Sequence, residues 1–245
     1  MSHVYLFTAW VLTMKFTAVT FDVGGVLMST DREYVAREYV ALAHARGVTL
    51  DFDATFRMYS TLDDEIPARA RMAPPLSLDA RAGENFWKSL FADGWARLGL
   101  APDDAVVNRL YTMFWRGDFN RVFDDVHPTL ATLKSRGMHL GVVTNFPSSC
   151  EQVLRALDIA NYFSFLAVSA IVGAEKPDRA IFDHAAQLAH RPINELVHVG
   201  DSTHADIEGA HGAGWNAILL DRDNWYPDYS VVPRVRRLTE LIVLV

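Results

Sequence analysis

HLGVVTNFPSSCEQVLRALDIANYFSFLAVSAI, residues 139–171, joins a short β-branched apolar run (HLGVVT, 139–144), a helix-period segment (Cys150–Leu157) and a second apolar run (FLAVSAI, 165–171). Apolar runs of this length without polar alternation suit strands buried on both faces of a parallel sheet. Working outward, LVHV (196–199) and NAILL (216–220) follow downstream and FTAVTF (16–21) stands upstream, with helical patterns over Pro128–Arg136, Asp178–His190 and His204–Ala213. Gly137 and Gly214 sit where a helix C-terminus calls for glycine. Strand and helix therefore alternate from residue 127 to 221. That rhythm predicts right-handed βαβ units and an α/β fold with a doubly wound parallel sheet.

Residues 30–125 break the rhythm. They carry helix-period stretches (Asp31–Arg46, Leu78–Leu98, Asp103–Trp115), an Ala-Arg-Ala-Arg-Met-Ala-Pro-Pro loop and no convincing strand. The reading is a helical cap at 30–125 inserted after the first strand of a core made of 14–29 and 126–245. Residues 1–13 (MSHVYLFTAWVLT) lack a basic residue ahead of their apolar run and are too short to span a bilayer, so they read as an extension or a mis-called start.

Composition narrows the function classes. Of 245 residues half are apolar and 22% charged, ordinary for a soluble globular chain. With 23 basic and 30 acidic residues the net charge of −7 opposes nucleic-acid binding. One cysteine, Cys150, forms no internal disulfide and no thiolate cluster, which points to a reducing, cytoplasmic setting and to oxygen ligands for any metal. No membrane association is expected, and the chain is read as a monomer or homodimer.

In open α/β sheets function gathers beyond the carboxyl ends of the strands. Here the first strand ends in Asp22 (TFDVGGVL), the second in Thr144-Asn145, the third is followed by Glu175-Lys176-Pro177, and the fourth ends in Gly200-Asp201-Ser202 with Asp206 beyond. Two strand-end carboxylates, a hydroxyl and a lysine at one mouth supply a nucleophile, an oxyanion clamp and a hard-cation site. Any one of these residues alone reads more plainly as a turn, a cap or a surface charge; their order lifts them.

In that order Asp22, Thr144, Lys176-Pro177 and GDSTHAD (200–206) resemble the four motifs of the haloacid dehalogenase-like hydrolase superfamily, over residues 16–221. A cap between the first two motifs is similar to its helical-cap class, and FWKSLF (86–91), TNF (144–146) and VGD (199–201) are similar to its domain-containing protein 3 and REG-2-like subgroup. The resemblance implies Mg²⁺-dependent hydrolysis of a small phosphorylated metabolite through an aspartyl-phosphate on Asp22. A carboxylate meets a phosphate dianion with repulsion on the order of several kcal/mol at ~4 Å, so a cation is needed. It implies Asp22, the Gly24 carbonyl, Asp201 and Asp206 as the Mg²⁺ ligands, Asp206 directly or through water. Thr144, the Asn145 backbone N–H and Lys176 are implied as the phosphoryl clamp.

One position departs from the family. Its phosphatases usually carry a general acid two residues after the nucleophile, where this chain has Gly24. Haloacid dehalogenases also lack that acid, but act without metal and typically lack a carboxylate at the position of Asp201. Two alternatives stay open: a 2-haloacid dehalogenase-type hydrolase, and a non-catalytic binding protein on this fold. Among other features, His198 and His204 lack a zinc spacing and read as strand and loop residues. Trp87, Trp95, Phe114 and Trp115 read as cap core. Cys150 opens a helix, a setting that lowers a thiol pKa, yet no partner base is visible. Asp221-Arg222-Asp223 reads as a polar loop after the last strand.

Overall fold

The computed structural model describes residues 16–73 and 75–245; the expectations for residues 1–13 and for a strand opening at Met14-Lys15 lie outside them. The chain divides into two compact units, one reaching to Ser29 and resuming at Val122–Val245, the other Thr30–Arg121. The second crossing of the boundary thus falls a few residues ahead of 125/126.

The first unit carries a sheet of β1 (Ala18–Phe21), β4 (His139–Thr144), β5 (Phe165–Val168), β6 (Leu196–Gly200), β7 (Asn216–Leu220) and β8 (Arg234–Val235) in the order β5-β4-β1-β6-β7-β8. All neighbours run parallel, and Phe21 pairs with Val142 on one side and Val199 on the other. The strands alternate between two cores, as a sheet covered on both faces must. Val19, Phe21, Val142, Val197 and Val199 pack with Leu130, Val153, Leu154 and Leu241. Ala18, Val143, Ala167, Leu196 and Leu219 pack with Ile181, Phe182, Ala185 and Trp215. The chain winds outward from β1 in both directions, which puts the switch point of the sheet at β1. Helices α5 (Val126–Ser135), α6 (Cys150–Ala156) and α8 (Arg179–Ala189) supply the covering layers. Among the described residues no helix is long and apolar enough to cross a membrane.

Three strand expectations are corrected. FLAVSAI is not one strand: β5 stops at Val168, and Ser169–Val172 form a short helix, α7, closed by Gly173 at φ 79°. The Ser169 hydroxyl accepts from the Phe146 N–H at 3.0 Å, so a tertiary hydrogen bond holds the chain where β-branched Ile171 and Val172 favour extension. The insertion is not free of strand, since Asn120–Val122 (β3) pairs with Met28–Thr30 (β2) where the chain leaves and re-enters the first unit. NAILL is followed by a further strand, β8.

The second unit holds α1 (Arg32–His44), α2 (Phe52–Arg71), α3 (Ala80–Arg97) and α4 (Asp104–Arg116). Each begins behind an aspartate, at Asp31, Asp51, Asp79 and Asp103, whose side chain accepts a first-turn N–H. Helix α2 corrects the sequence reading, because Ala68–Arg71, expected in a loop, continue it. Its buried stripe is narrow, Thr55, Tyr59 and Leu62, and Pro67 lies inside it. Tyr39, Leu62, Leu90, Phe91, Trp95, Leu110 and Met113 form the core of this unit, with Trp87 and Phe114 stacked at 4.0 Å against it. Trp115 stands apart from that core, partly buried beside Tyr111.

Candidate active site

Asp22 follows β1 directly, and its N–H donates to Val199 O at 2.9 Å, so the parallel pairing with β6 carries on into the site. Asp201 follows β6, and Thr144 is the buried last residue of β4. One oxygen each of Asp22, Asp201 and Asp206 lies within 4.8 Å of the others. Two glycines make this possible. A Cβ on Gly25, whose φ is +71°, would stand 2.1 Å from Asp201 Oδ2, and a Cβ on Gly200 would stand 2.1 Å from Asp206 Cγ. Asp206 lies in a wide turn, Thr203–Glu208, where the N–H groups of Asp206 and Ile207 both donate to Ser202 O. The turn folds Asp206 back over Gly200.

Lys176 is buried, and its ammonium donates to Asp22 Oδ1 at 2.8 Å, Asp206 Oδ1 at 2.5 Å and Val143 O at 2.9 Å. All three of its hydrogens are engaged. The backbone of Lys176 is held by the Asn145 side chain, which accepts from Lys176 N at 2.7 Å and donates to Lys176 O at 2.9 Å. Sequence reading gave Asn145 a backbone role and missed this amide clamp, for which a 31-residue separation leaves no local signal.

A second line of buried polar groups stands behind the lysine. His198 Nε2 is 3.0 Å from Asp206 Oδ1, His198 Nδ1 is 2.9 Å from Thr20 Oγ1, and Ser202 N donates to Asp206 Oδ2 at 2.9 Å. Burial, with the Lys176 charge, holds the imidazole below the usual histidine range against the pull of Asp206. A neutral ring facing a carboxylate must donate through Nε2, so Nδ1 accepts the Thr20 hydroxyl proton. His198 is thus a buried strand residue, as read, and also a hydrogen-bond donor to the site.

Burial opposes the charges of this cluster, and neighbours decide each outcome. For Lys176, burial is outweighed by the charges of Asp206 and Asp22, so the ammonium persists. For Asp206, burial is outweighed by Lys176 and His198, so its carboxyl titrates below the usual range. For Asp201, burial and then the charges of Asp22 and Asp206 outweigh the opposing charge of Lys176 and push its carboxyl up to about 8. Three carboxylates facing one lysine leave surplus negative charge and oxygen donors, a set that fits a hard divalent cation. Cys150 is corrected: burial and the nearby charges of Asp22 and Glu151 push its thiol up to about 12, not down. A Cβ on Gly24 would meet nothing within 4 Å, so the position that lacks an acid has room for one.

The haloacid dehalogenase-like hydrolase family model matches residues 16–214. The haloacid dehalogenase-like hydrolase domain-containing protein 3 of Danio rerio is 28% identical over 222 residues, 88% of this chain and 89% of that protein. The glyceraldehyde 3-phosphate phosphatase of Methanopyrus kandleri is 30% identical over 160 residues, covering 60% of this chain and 68% of that one. The crystal structure of 2-haloacid dehalogenase from Pseudomonas syringae pv. Tomato DC3000 superposes with a TM-score of 0.59 at 26% identity, over 92% of this chain and 96% of that one.

Proposed function

Since the chain belongs to the haloacid dehalogenase-like hydrolases, we propose that it is a Mg²⁺-dependent phosphatase of a small phosphorylated metabolite, with Asp22 as nucleophile. The carrying observation is the cluster of Asp22, Asp201 and Asp206, one oxygen of each within 4.8 Å of the others, whose burial and mutual repulsion push the Asp201 carboxyl up. A dehalogenase displacing halide from a neutral carbon has no use for such a set. Asp22, the Gly24 carbonyl and Asp201 would hold Mg²⁺, while Asp206, whose oxygens already accept from Lys176, His198 and Ser202, supplies charge from behind.

Bound there, Mg²⁺ supplies the positive charge that lets a carboxylate approach a phosphate dianion. An Asp22 oxygen attacks phosphorus, the ester P–O bond breaks, and the leaving oxygen takes its proton from solvent because Gly24 offers none. The Thr144 hydroxyl and the Asn145 backbone N–H hold the phosphoryl oxygens as charge moves onto them, and Lys176, whose three hydrogens already orient Asp22 and Asp206 and bind Val143 O, supplies positive charge beside them. Water then attacks the phospho-aspartate, releasing phosphate and restoring Asp22. Asn145 and His198 act before chemistry, by fixing Lys176 and Asp206.

A panel of phosphorylated metabolites assayed for phosphate release, with Mg²⁺ and with EDTA, tests this reading. Turnover lost in EDTA supports it. One observation favours a second reading: Gly24 suits a leaving group that needs no proton. Halide released from 2-haloacids in EDTA, with no phosphate from any ester, would replace the phosphatase by a dehalogenase. Mg²⁺ binding without turnover of either class would leave a binding protein.

A further inference from the structure

Arg222 does more than fill a polar loop. Its guanidinium lies 4.0 Å from the Phe123 ring centre and grips Asp125 through two bonds of 2.9 Å, Nη1 to Oδ2 and Nη2 to Oδ1. Asp125 Oδ2 also accepts from Leu238 N at 2.8 Å, and both side chains are largely buried, at 16% and 9% exposure. Held in that fork, Arg222 turns its other edge to the loop behind the nucleophile: Nε donates to Gly25 O at 3.3 Å and Nη2 to Val26 O at 2.8 Å.

These two bonds complete a set. Gly25 N donates to Met28 O and Leu27 N to Val23 O, each at 2.9 Å. The peptide units 24/25, 25/26 and 26/27 are therefore pinned in succession, the first by its N–H, the second by its carbonyl and the third at both ends. In a trans peptide the carbonyl points opposite to the N–H. With Gly25 N–H turned to Met28, the Gly24 carbonyl is turned away from it, and Arg222, through Gly25 O, restrains the neighbouring unit from turning against it. The same restraint keeps the Cα of Gly25 against Asp201, where even a methyl group would collide.

We propose that Arg222, oriented by Asp125, is a positioning residue of the nucleophile loop, fixing the Gly24 carbonyl and the Gly25–Asp201 approach. It rests on the Mg²⁺-phosphatase reading for its consequence. The planar fork is essential, because a lysine ammonium cannot grip a carboxylate with two bonds and two carbonyls at once.

The test uses the full chain and three variants, Arg222→Met, Arg222→Lys and Asp125→Asn, with a fourth, Arg222→Ala, for chemical rescue. Mg²⁺ binding to substrate-free protein is measured by calorimetry, amide exchange over residues 22–28 by mass spectrometry, and kcat and KM on a substrate from the metabolite panel. Groups that orient metal ligands from outside typically alter affinity or activity by roughly 10–100-fold. Arg222→Met and Arg222→Lys are both expected to lose Mg²⁺ affinity and kcat in that range. Their KM stays within about threefold of wild type, since substrate binding itself is not the interaction removed. Exchange is expected to quicken over 22–28 while β4 and β6 stay protected, and guanidinium ion below denaturing concentration is expected to restore Mg²⁺ affinity to Arg222→Ala.

A merely structural role lowers the melting temperature without those signatures. Folded Arg222→Met with wild-type Mg²⁺ affinity and wild-type exchange over 22–28 overturns the proposal. If Arg222→Met does not fold, Arg222→Lys and Asp125→Asn carry the same readouts, and wild-type values there overturn it equally. Wild-type protein that binds no Mg²⁺ removes the phosphatase reading and this inference together, whereas wild-type binding matched by the variants removes this inference alone.

Discussion

Asp22 sits 2.8 Å from the Lys176 ammonium, so its replacement by asparagine keeps the shape while removing the nucleophile. Turnover of Asp22→Asn is expected to fall below detection with the melting curve nearly unchanged; activity within about tenfold of wild type contradicts the assignment. Gly24 gives a second expectation. A positioned general acid is worth roughly 10²–10⁴ in rate, so the natural protein should cleave aryl and acyl phosphates far faster than alkyl phosphates. Gly24→Asp should narrow that gap by helping poor leaving groups most, and the open space around a Cβ there permits the test. A leaving-group series on both proteins reads it directly. Asp201 gives a third. Its carboxyl is pushed up to about 8, against about 3.9 in the unfolded chain, so the native state keeps a proton that the unfolded state has released. In metal-free protein this group costs stability as pH rises from about 4 to about 8. Mg²⁺ requires the ionised form, so binding at pH 6–7 should release about one proton, fading above pH ~9. Calorimetry in buffers of different ionisation enthalpy counts that proton.

At the scale of elements, the site is built by turns at strand ends more than by helices. The β6 turn brings Asp206 back over Gly200, and the β1 turn brings Gly25 under Asp201. Gly200→Ala drives a methyl into Asp206, which Lys176, His198 and Ser202 hold in place. It is expected to cost about 1–3 kcal/mol of stability, as overpacking does, and to lower kcat with it. Gly24→Ala, with nothing in its way, should be near neutral in stability, and parallel urea titrations compare the two. These turns were half legible. Aspartate after a strand of the right composition marked the place, whereas the wide turn at Thr203–Glu208 carries no periodic signature. Helix α2 escaped notice for a related reason: Thr55, Tyr59 and Leu62 repeat at helical spacing but form too thin an apolar stripe to outweigh Pro67.

For the whole molecule, a cation that binds only the folded site raises stability by mass action. At a hundred times its Kd this amounts to about 2.7 kcal/mol, or roughly 5–11 °C in the transition of a unit of this size. Mg²⁺ should therefore raise the melting temperature of wild type and fail to raise that of Asp201→Asn. In metal-free protein at pH 8 Asp201→Asn should be the more stable of the two, because it removes a repelled carboxylate. A melting temperature of wild type that ignores Mg²⁺ would count against the metal site.

The parallel sheet could be read in one dimension because its evidence is local. Runs such as HLGVVT and NAILL are apolar on both faces, and glycine stops such as Gly137 punctuate the helices between them. The positions of Asp22, Thr144, Lys176 and Asp201 followed from the same logic, since strand ends in such a sheet share one edge. Side-chain partners were another matter. Asn145 clamps a backbone 31 residues away, and Arg222 grips a carboxylate 97 residues earlier in the chain. A hydrogen bond needs its atoms within a few tenths of an ångström, and that distance is set by strand register and layer packing, never by spacing along the chain. The charge states of Asp201 and Cys150 likewise depend on which groups crowd them once buried. Residue types and local periods determined the architecture and the chemistry available, and tertiary packing alone decided which atoms meet.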